Sequence, residues 1–417
     1  MELLLLKLVG LTRPLASMEY AEPVFAILGV GLFVLLLGGV LIRAAVQQTV
    51  RFTAIDLFAV AFAFWALAGW VSYYEEARFS ELLKLVLPVL SYTVVKNIVP
   101  DRASYRRVVL WILVGFAIPT LVSAALIVAK HPTAVDMVNY WTEVTRWKGV
   151  YTHSHNLGHS MTLFLMAMVL YVSLRDARDE RWRLGANALL VALGAVALFC
   201  LFMSQVRSAV LGLVVFLALY TFFARRRLFL LGTAAAALLV VATLPYWFAA
   251  MFPEFEVSRP GAEVDVLDLG SGRPRFWLND LEIYAGLPVD QKLLGLGTGA
   301  GFADGEQLLG HNDWLGLLTQ TGLIGVLLFL GLQLAILRAI LRLPASERYF
   351  FLALFAAVNV MMAVSNSYAW RIQVSQLYYI LLAFIEVPVG SARPAAQEAG
   401  GERGRRTELG TAAIARR

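Results

Sequence analysis

Cysteine is all but absent: Cys200 stands alone in 417 residues, which excludes an internal disulfide framework and a thiolate-based metal site. Charge is nearly as scarce. Asp, Glu, Lys and Arg make up 15% of the chain, against roughly a quarter in soluble domains. No P-loop, G-x-S-x-G elbow or H-E-x-x-H helix occurs, so nucleotide hydrolysis, serine-hydrolase and zincin chemistry have no motif to rest on. No internal repeat is visible. The N-terminal MELLLLKLVG is interrupted by Arg13 and Pro14 with no convincing small-residue cleavage site after it, unlike a secretory signal peptide.

What fills the chain instead is apolar sequence, 59% of it, with a mean hydropathy of +0.71. Apolar runs recur near 21–43, 54–74, 82–99, 107–129, 156–174, 184–204, 207–224, 228–250, 313–341, 349–366 and 372–389, each close to the roughly 20 residues that cross a bilayer. Eleven spans follow, and 2–16 offers a short twelfth. The expected fold is an all-α, polytopic transmembrane helical bundle of 11–12 helices over residues 1–390. Residues 391–417 are rich in Ala, Gly, Glu and Arg. They bury too little apolar surface to fold, and a disordered cytoplasmic tail is expected.

Charge gives the orientation. Arg43, Arg51, Lys96, Arg102, Arg106, Arg107, Arg175, Arg178, Arg181, Arg183, Arg225, Arg226, Arg227, Arg338, Arg342, Arg348 and six tail arginines gather at one set of loops. By the positive-inside rule these loops are cytoplasmic. The other face receives 74–81, 130–155, the Gln205–Ser208 corner, one long loop over 251–312 and the Ser365–Arg371 turn. That long loop is acidic, and all five histidines lie on or near its side of the membrane. The net charge of +6 is therefore a cytoplasmic property rather than a nucleic-acid footprint, and any chemistry faces outward.

Several outward residues are candidates. Arg207 sits in a tight corner between two apolar runs, where a permanently charged fork needs a polar cavity and suits a phosphate; the bland alternative is a snorkelling anchor. Arg273 and Arg275 flank Pro274 ahead of Phe276 and Trp277, a pattern that suits a loop meeting the interface or simply a solvated loop. His311 and Asn312 open an apolar helix, where either residue serves as a cap and the histidine also as a proton acceptor. Arg146, Lys148, His153, His155 and His159 form a second polar cluster. His155 and His159 share a helix face, but no carboxylate or cysteine nearby completes a metal set, and sugar or phosphate contact fits them better. Glu263 and Asp265 form a weak E-x-D match. No metal site and no cofactor are expected.

At these residues the chain resembles the O-antigen ligase and polymerase superfamily of bacterial envelope enzymes. The likeness runs from about Asn156 to Ile324. It comprises a polar helix start at Asn156, the Arg207-Ser208 corner, S-G-R-x-x-x-W at Ser271–Trp277, a leucine–glycine stretch and H-N-x-x-L at His311. The spacing from His311-Asn312 to Gly322-Leu323-Ile324-Gly325 is similar to the His-centred signature of lipopolysaccharide O-antigen ligases. The resemblance implies an inverting glycosyltransferase of GT-C type in the inner membrane, with its active site in the periplasm. It implies an undecaprenyl-diphosphate-linked polysaccharide as donor and lipid A–core as acceptor. It gives Arg207 and His311 the catalytic roles, with Arg273, Arg275, Arg146, Lys148, His155 and Asn312 in substrate binding. O-antigen polymerase, protein O-oligosaccharyltransferase and a lipid-linked oligosaccharide flippase are the rival readings.

Overall fold

The computed structural model describes residues 1–47, 49–72, 79–138, 145–174, 183–224, 273–298, 312–365 and 371–388. Seven helices among them are long and apolar enough to cross a membrane: α2 (Glu22–Gln47), α3 (Ala54–Ser72), α5 (Arg102–Val128), α6 (Ser154–Ser173), α7 (Arg183–Ser204), α11 (Asp313–Leu341) and α12 (Ala345–Val364). This is the architecture of a multi-pass helical membrane protein. Ten of the eleven expected spans coincide with helices, and the eleventh, 228–250, lies outside the described residues. Three of those ten fall short of the criterion. They are α4 (Phe79–Ile98), which carries Glu81, Lys84 and Lys96, and the shorter α8 (Arg207–Ala224) and α13 (Ile372–Leu382). The first helix, α1 (Glu2–Leu15), is about 21 Å long at 1.5 Å per residue, too short for a hydrocarbon core of about 30 Å. It packs against α5 and α2, and Glu2 pairs with Arg43 at 3.2 Å.

Lipid exposure explains the composition. On α2 only Gly29, Phe33, Leu36 and Val40 are buried, one stripe at helical spacing. The remaining faces expose Val24, Ile27, Val34, Leu35, Leu41 and Ile42, as expected where the solvent is hydrocarbon. The interior is built around α6 and α13. From Val374 to Leu382 every residue of α13 is buried, packed against α4 and α6.

The stretch expected to be one long outer loop is partly helical. Arg273–Gly286 forms α9 and Val289–Leu294 forms α10, with the Tyr284 hydroxyl donating to the Lys292 carbonyl at 2.8 Å. Beyond α10 the chain crosses α11 where that helix breaks. Gly322 adopts φ 65°, ψ −176°, a conformation nearly confined to glycine. A Cβ there would stand 2.3 Å from the Leu293 carbonyl oxygen, and one on Gly295 2.3 Å from that of Gln320. The carbonyls beside the break find other donors. Leu296 N–H donates to Thr319 O at 2.8 Å and Gly297 N–H to Gln320 O at 3.1 Å. Trp65 Nε1 on α3 donates to Thr321 O at 2.8 Å.

At the opposite end Lys96 is fully buried rather than loop-exposed. Its ammonium donates to Asp56, to Glu386 Oε2 at 2.8 Å and to Thr53 Oγ1 at 3.0 Å. Asp56 accepts further bonds from the Thr53 backbone at 2.6 Å and from Thr93 Oγ1 at 2.6 Å. A buried charge persists only when paired and bonded in this way.

Gly322→Ala should lower stability by at least about 1–3 kcal/mol from backbone strain alone, before the clash with Leu293. Gly38→Ala, where nothing lies within 4 Å, should be neutral or stabilise by about 0.5–1 kcal/mol. Thermal melts of both variants in one detergent give the comparison, and equal melting temperatures would refute the account of the break.

Candidate functional site at the α5–α6 end

The site forms where α5 turns into α6. A two-stranded ribbon, β1 (Val135–Val138) antiparallel to β2 (Thr145–Trp147), pairs Val135 with Trp147 and Met137 with Arg146. The register shifts between Val135 and Met137, so Asp136 is skipped in the pairing, an arrangement that re-aims a side chain. Asp136 Oδ2 accepts the Ser154 N–H at 2.8 Å at the start of α6, and its Oδ1 lies 3.6 Å from His153 Nδ1. A carboxylate is favoured at that helix end.

In the first turns of α6, His155 and His159 face the same way, their ring centroids 6.2 Å apart. His159 is fully buried, with Nε2 3.1 Å from the Ser208 hydroxyl of α8. Gly158 allows this approach, since a Cβ there would meet Val206 at 2.8 Å and Ser204 Oγ at 3.0 Å. Arg207, half-buried, opens α8 beside Ser208. The α7–α8 corner expected at Gln205–Ser208 is thus present and docked on α6.

Three guanidinium groups act electrostatically on the histidines. Arg371, Arg273 and Arg146 lie within electrostatic reach of His155, and the first two within reach of His159. Arg371 immediately precedes α13 and hydrogen-bonds Asn156 Oδ1. Burial draws its guanidinium down to about 10, opposed by Asp313 and Asp136, which favour the charge; at neutral pH it stays cationic. Arg273 begins α9 and donates to the Val364 carbonyl at the end of α12, a favourable place for a cation. Asn312 caps α11, accepting from Trp314 N–H at 2.9 Å, and its Nδ2 donates to Ala363 O at 2.9 Å. Arg273 and Asn312 therefore satisfy neighbouring carbonyls of one helix end.

The candidates divide accordingly. Arg146, His155 and Arg273 converge, Asn312 shares the end of α12 with Arg273, and Arg207 adjoins the His159–Ser208 contact. Lys148 instead pairs with Glu19 at 2.7 Å, tying the ribbon to the α1–α2 corner. Arg275 is exposed on α9. His311, Glu263 and Asp265 lie outside the described residues. Among the described residues no three His, Cys, Asp or Glu side chains group as metal ligands. Three participants are new: Arg371, Asp136 and Asp313, the last fully buried. The scarcity of outward basic residues that picks out Arg207 picks out Arg371 by the same logic.

No family model matches this chain, and no curated protein matches it.

Arg371→Gln should destabilise the protein by about 3–5 kcal/mol, since it leaves buried Asp313 without that counter-charge. In an Arg371→Gln background, Asp313→Asn should cost much less than it does alone, the signature of a coupled pair. Additive losses in thermal or denaturant unfolding would show that the two groups do not interact.

Proposed function

We propose that the chain is a lipopolysaccharide O-antigen ligase, a GT-C type glycosyltransferase of the bacterial inner membrane acting at the periplasmic face. The observation that carries this reading is the gathering of Arg146, Arg273 and Arg371 around His155 and His159, with Arg207 at the adjoining corner, all at one end of the bundle. Such a cluster suits a diphosphate, whose oxygens take forked guanidinium hydrogen bonds. The His-centred sequence signature supplies the rest of the argument.

In this mechanism the donor is a polysaccharide on undecaprenyl diphosphate and the acceptor a sugar hydroxyl of lipid A–core. The hydroxyl oxygen attacks the anomeric carbon from the face opposite the diphosphate, so the new bond forms with inversion. The anomeric C–O bond to the diphosphate breaks, and its electron pair leaves on undecaprenyl diphosphate. The arginines offset the charge growing there. His311, neutral, accepts the hydroxyl proton. The donor bond itself carries the driving force, so no nucleotide is needed, and with arginines offsetting the charge a divalent metal is dispensable.

The test is reconstitution of the full chain in liposomes with lipid A–core and the diphosphate-linked glycan, in excess EDTA. A ladder of glycosylated lipid A–core is the expected product. Movement of the glycan lipid across the bilayer with no ladder would identify a flippase instead, and a lengthened donor with unmodified core a polymerase.

His311→Ala should slow the chemical step by about 10²–10⁴-fold while donor binding persists. Since Asn312 is the cap of α11, a His311 that does no chemistry would leave the variant with its full rate per folded molecule. Single-turnover transfer and a melting curve on one preparation decide between them.

A further inference from the structure

The far end of α5 and α6 holds a second cationic cavity that the glycosyl-transfer reading does not use. It has a volume of about 480 Å³ and is lined by Arg102, Arg106, Arg107 and Leu110 of α5, Tyr171 near the end of α6 and Glu347 of α12. Tyr171 follows His155 and His159 on α6, which puts the cavity about 20 Å from the histidine site by helix rise. The wall is preorganised. Arg102 forks onto Glu347, one branch at 2.9 Å, and its guanidinium lies 4.8 Å from the Phe384 ring centre. Arg106 sits over the Tyr171 ring at 5.3 Å. Arg107 is exposed. Three arginines against one carboxylate leave the lining with an excess of positive charge.

The helix face below the cavity is apolar and open. Leu110, Val114, Ile118 and Leu121 follow Arg107 at helical spacing, each between 40% and 49% exposed. A phosphate-bearing headgroup in the cavity would therefore continue into a track for an acyl chain along α5. Free phosphate would use the first feature and leave the second idle. We propose that this cavity binds an anionic phospholipid, with the phosphodiester at Arg106 and Arg107 and an acyl chain along the Leu110–Leu121 face. Forked guanidinium bonds hold the phosphodiester, and selectivity over zwitterionic lipid comes from net charge, since a choline cation beside three arginines is repelled while an anionic headgroup is not.

The test uses the full chain in mixed phosphatidylglycerol and phosphatidylcholine, with retained lipid read by native mass spectrometry. Wild type should retain phosphatidylglycerol preferentially, and inorganic phosphate at millimolar concentration should not displace it. Arg106→Gln/Arg107→Gln should lower that retention about tenfold or more, while Arg106→Lys/Arg107→Lys keeps part of it. Should the double glutamine variant not fold, Arg107→Gln alone serves, because an exposed side chain contributes little packing; a loss of several-fold is expected. Retention unchanged in a folded glutamine variant, no preference in wild type, or displacement by inorganic phosphate would each overturn the proposal. The outcome is independent of glycosyl transfer.

Discussion

The break at Gly322 is the constraint on which the histidine end of the bundle depends. A helix in hydrocarbon has to satisfy every backbone carbonyl within protein, so α11 can be interrupted only where donors wait. Here Leu296, Gly297 and the Trp65 indole supply them to three successive carbonyls. The arrangement works in both directions. It frees the first turns of α11 to take their own path from Asn312, and it anchors the chain after α10. The two glycines facing each other at Gly295 and Gly322 leave no room for a methyl group on either side, so the break and the docked segment exist only together.

What the break positions is charge. The N-terminus of α11 brings Asn312 and Asp313 to the end of α12, whose terminal carbonyls are taken by Asn312 and Arg273. Asp313 and Asp136 then flank Arg371. The cations are held by carboxylates, carbonyls and an amide oxygen, which is how several guanidinium groups share a small volume without their mutual repulsion ejecting one of them.

The other end is closed by the same physics with a different outcome. Lys96, Asp56, Glu386 and two threonines form a network in which each buried charge is both paired and hydrogen-bonded. It joins α3, α4 and the turn after α13, and it fastens the central α13 at the face where most basic residues gather. The bundle is thus tied by polar contacts at its ends and by apolar packing along its length.

Much of the fold was legible in the amino-acid order because lipid leaves the backbone few choices. An apolar run of sufficient length is a helix, and so α2, α3, α5, α6, α7, α11 and α12 are evident from composition alone. The scarcity of outward basic residues was equally legible, and it pointed to Arg207, Arg273 and Arg146. Tertiary structure decided which of these share a site. Arg146 and Lys148 stand two residues apart, yet one lies within electrostatic reach of His155 and the other pairs with Glu19 at the α1–α2 corner. Arg371, Asp136 and Asp313 carry no local motif; they meet because a skipped ribbon residue, the start of α11 and the residue ahead of α13 converge. The helix at Arg273–Gly286 gave no apolar run to read, and Lys96 looked like a loop cation until its partners, 40 residues before it and 290 after it, were in place. Pairwise contacts across such separations depend on packing, and packing is settled by the whole chain.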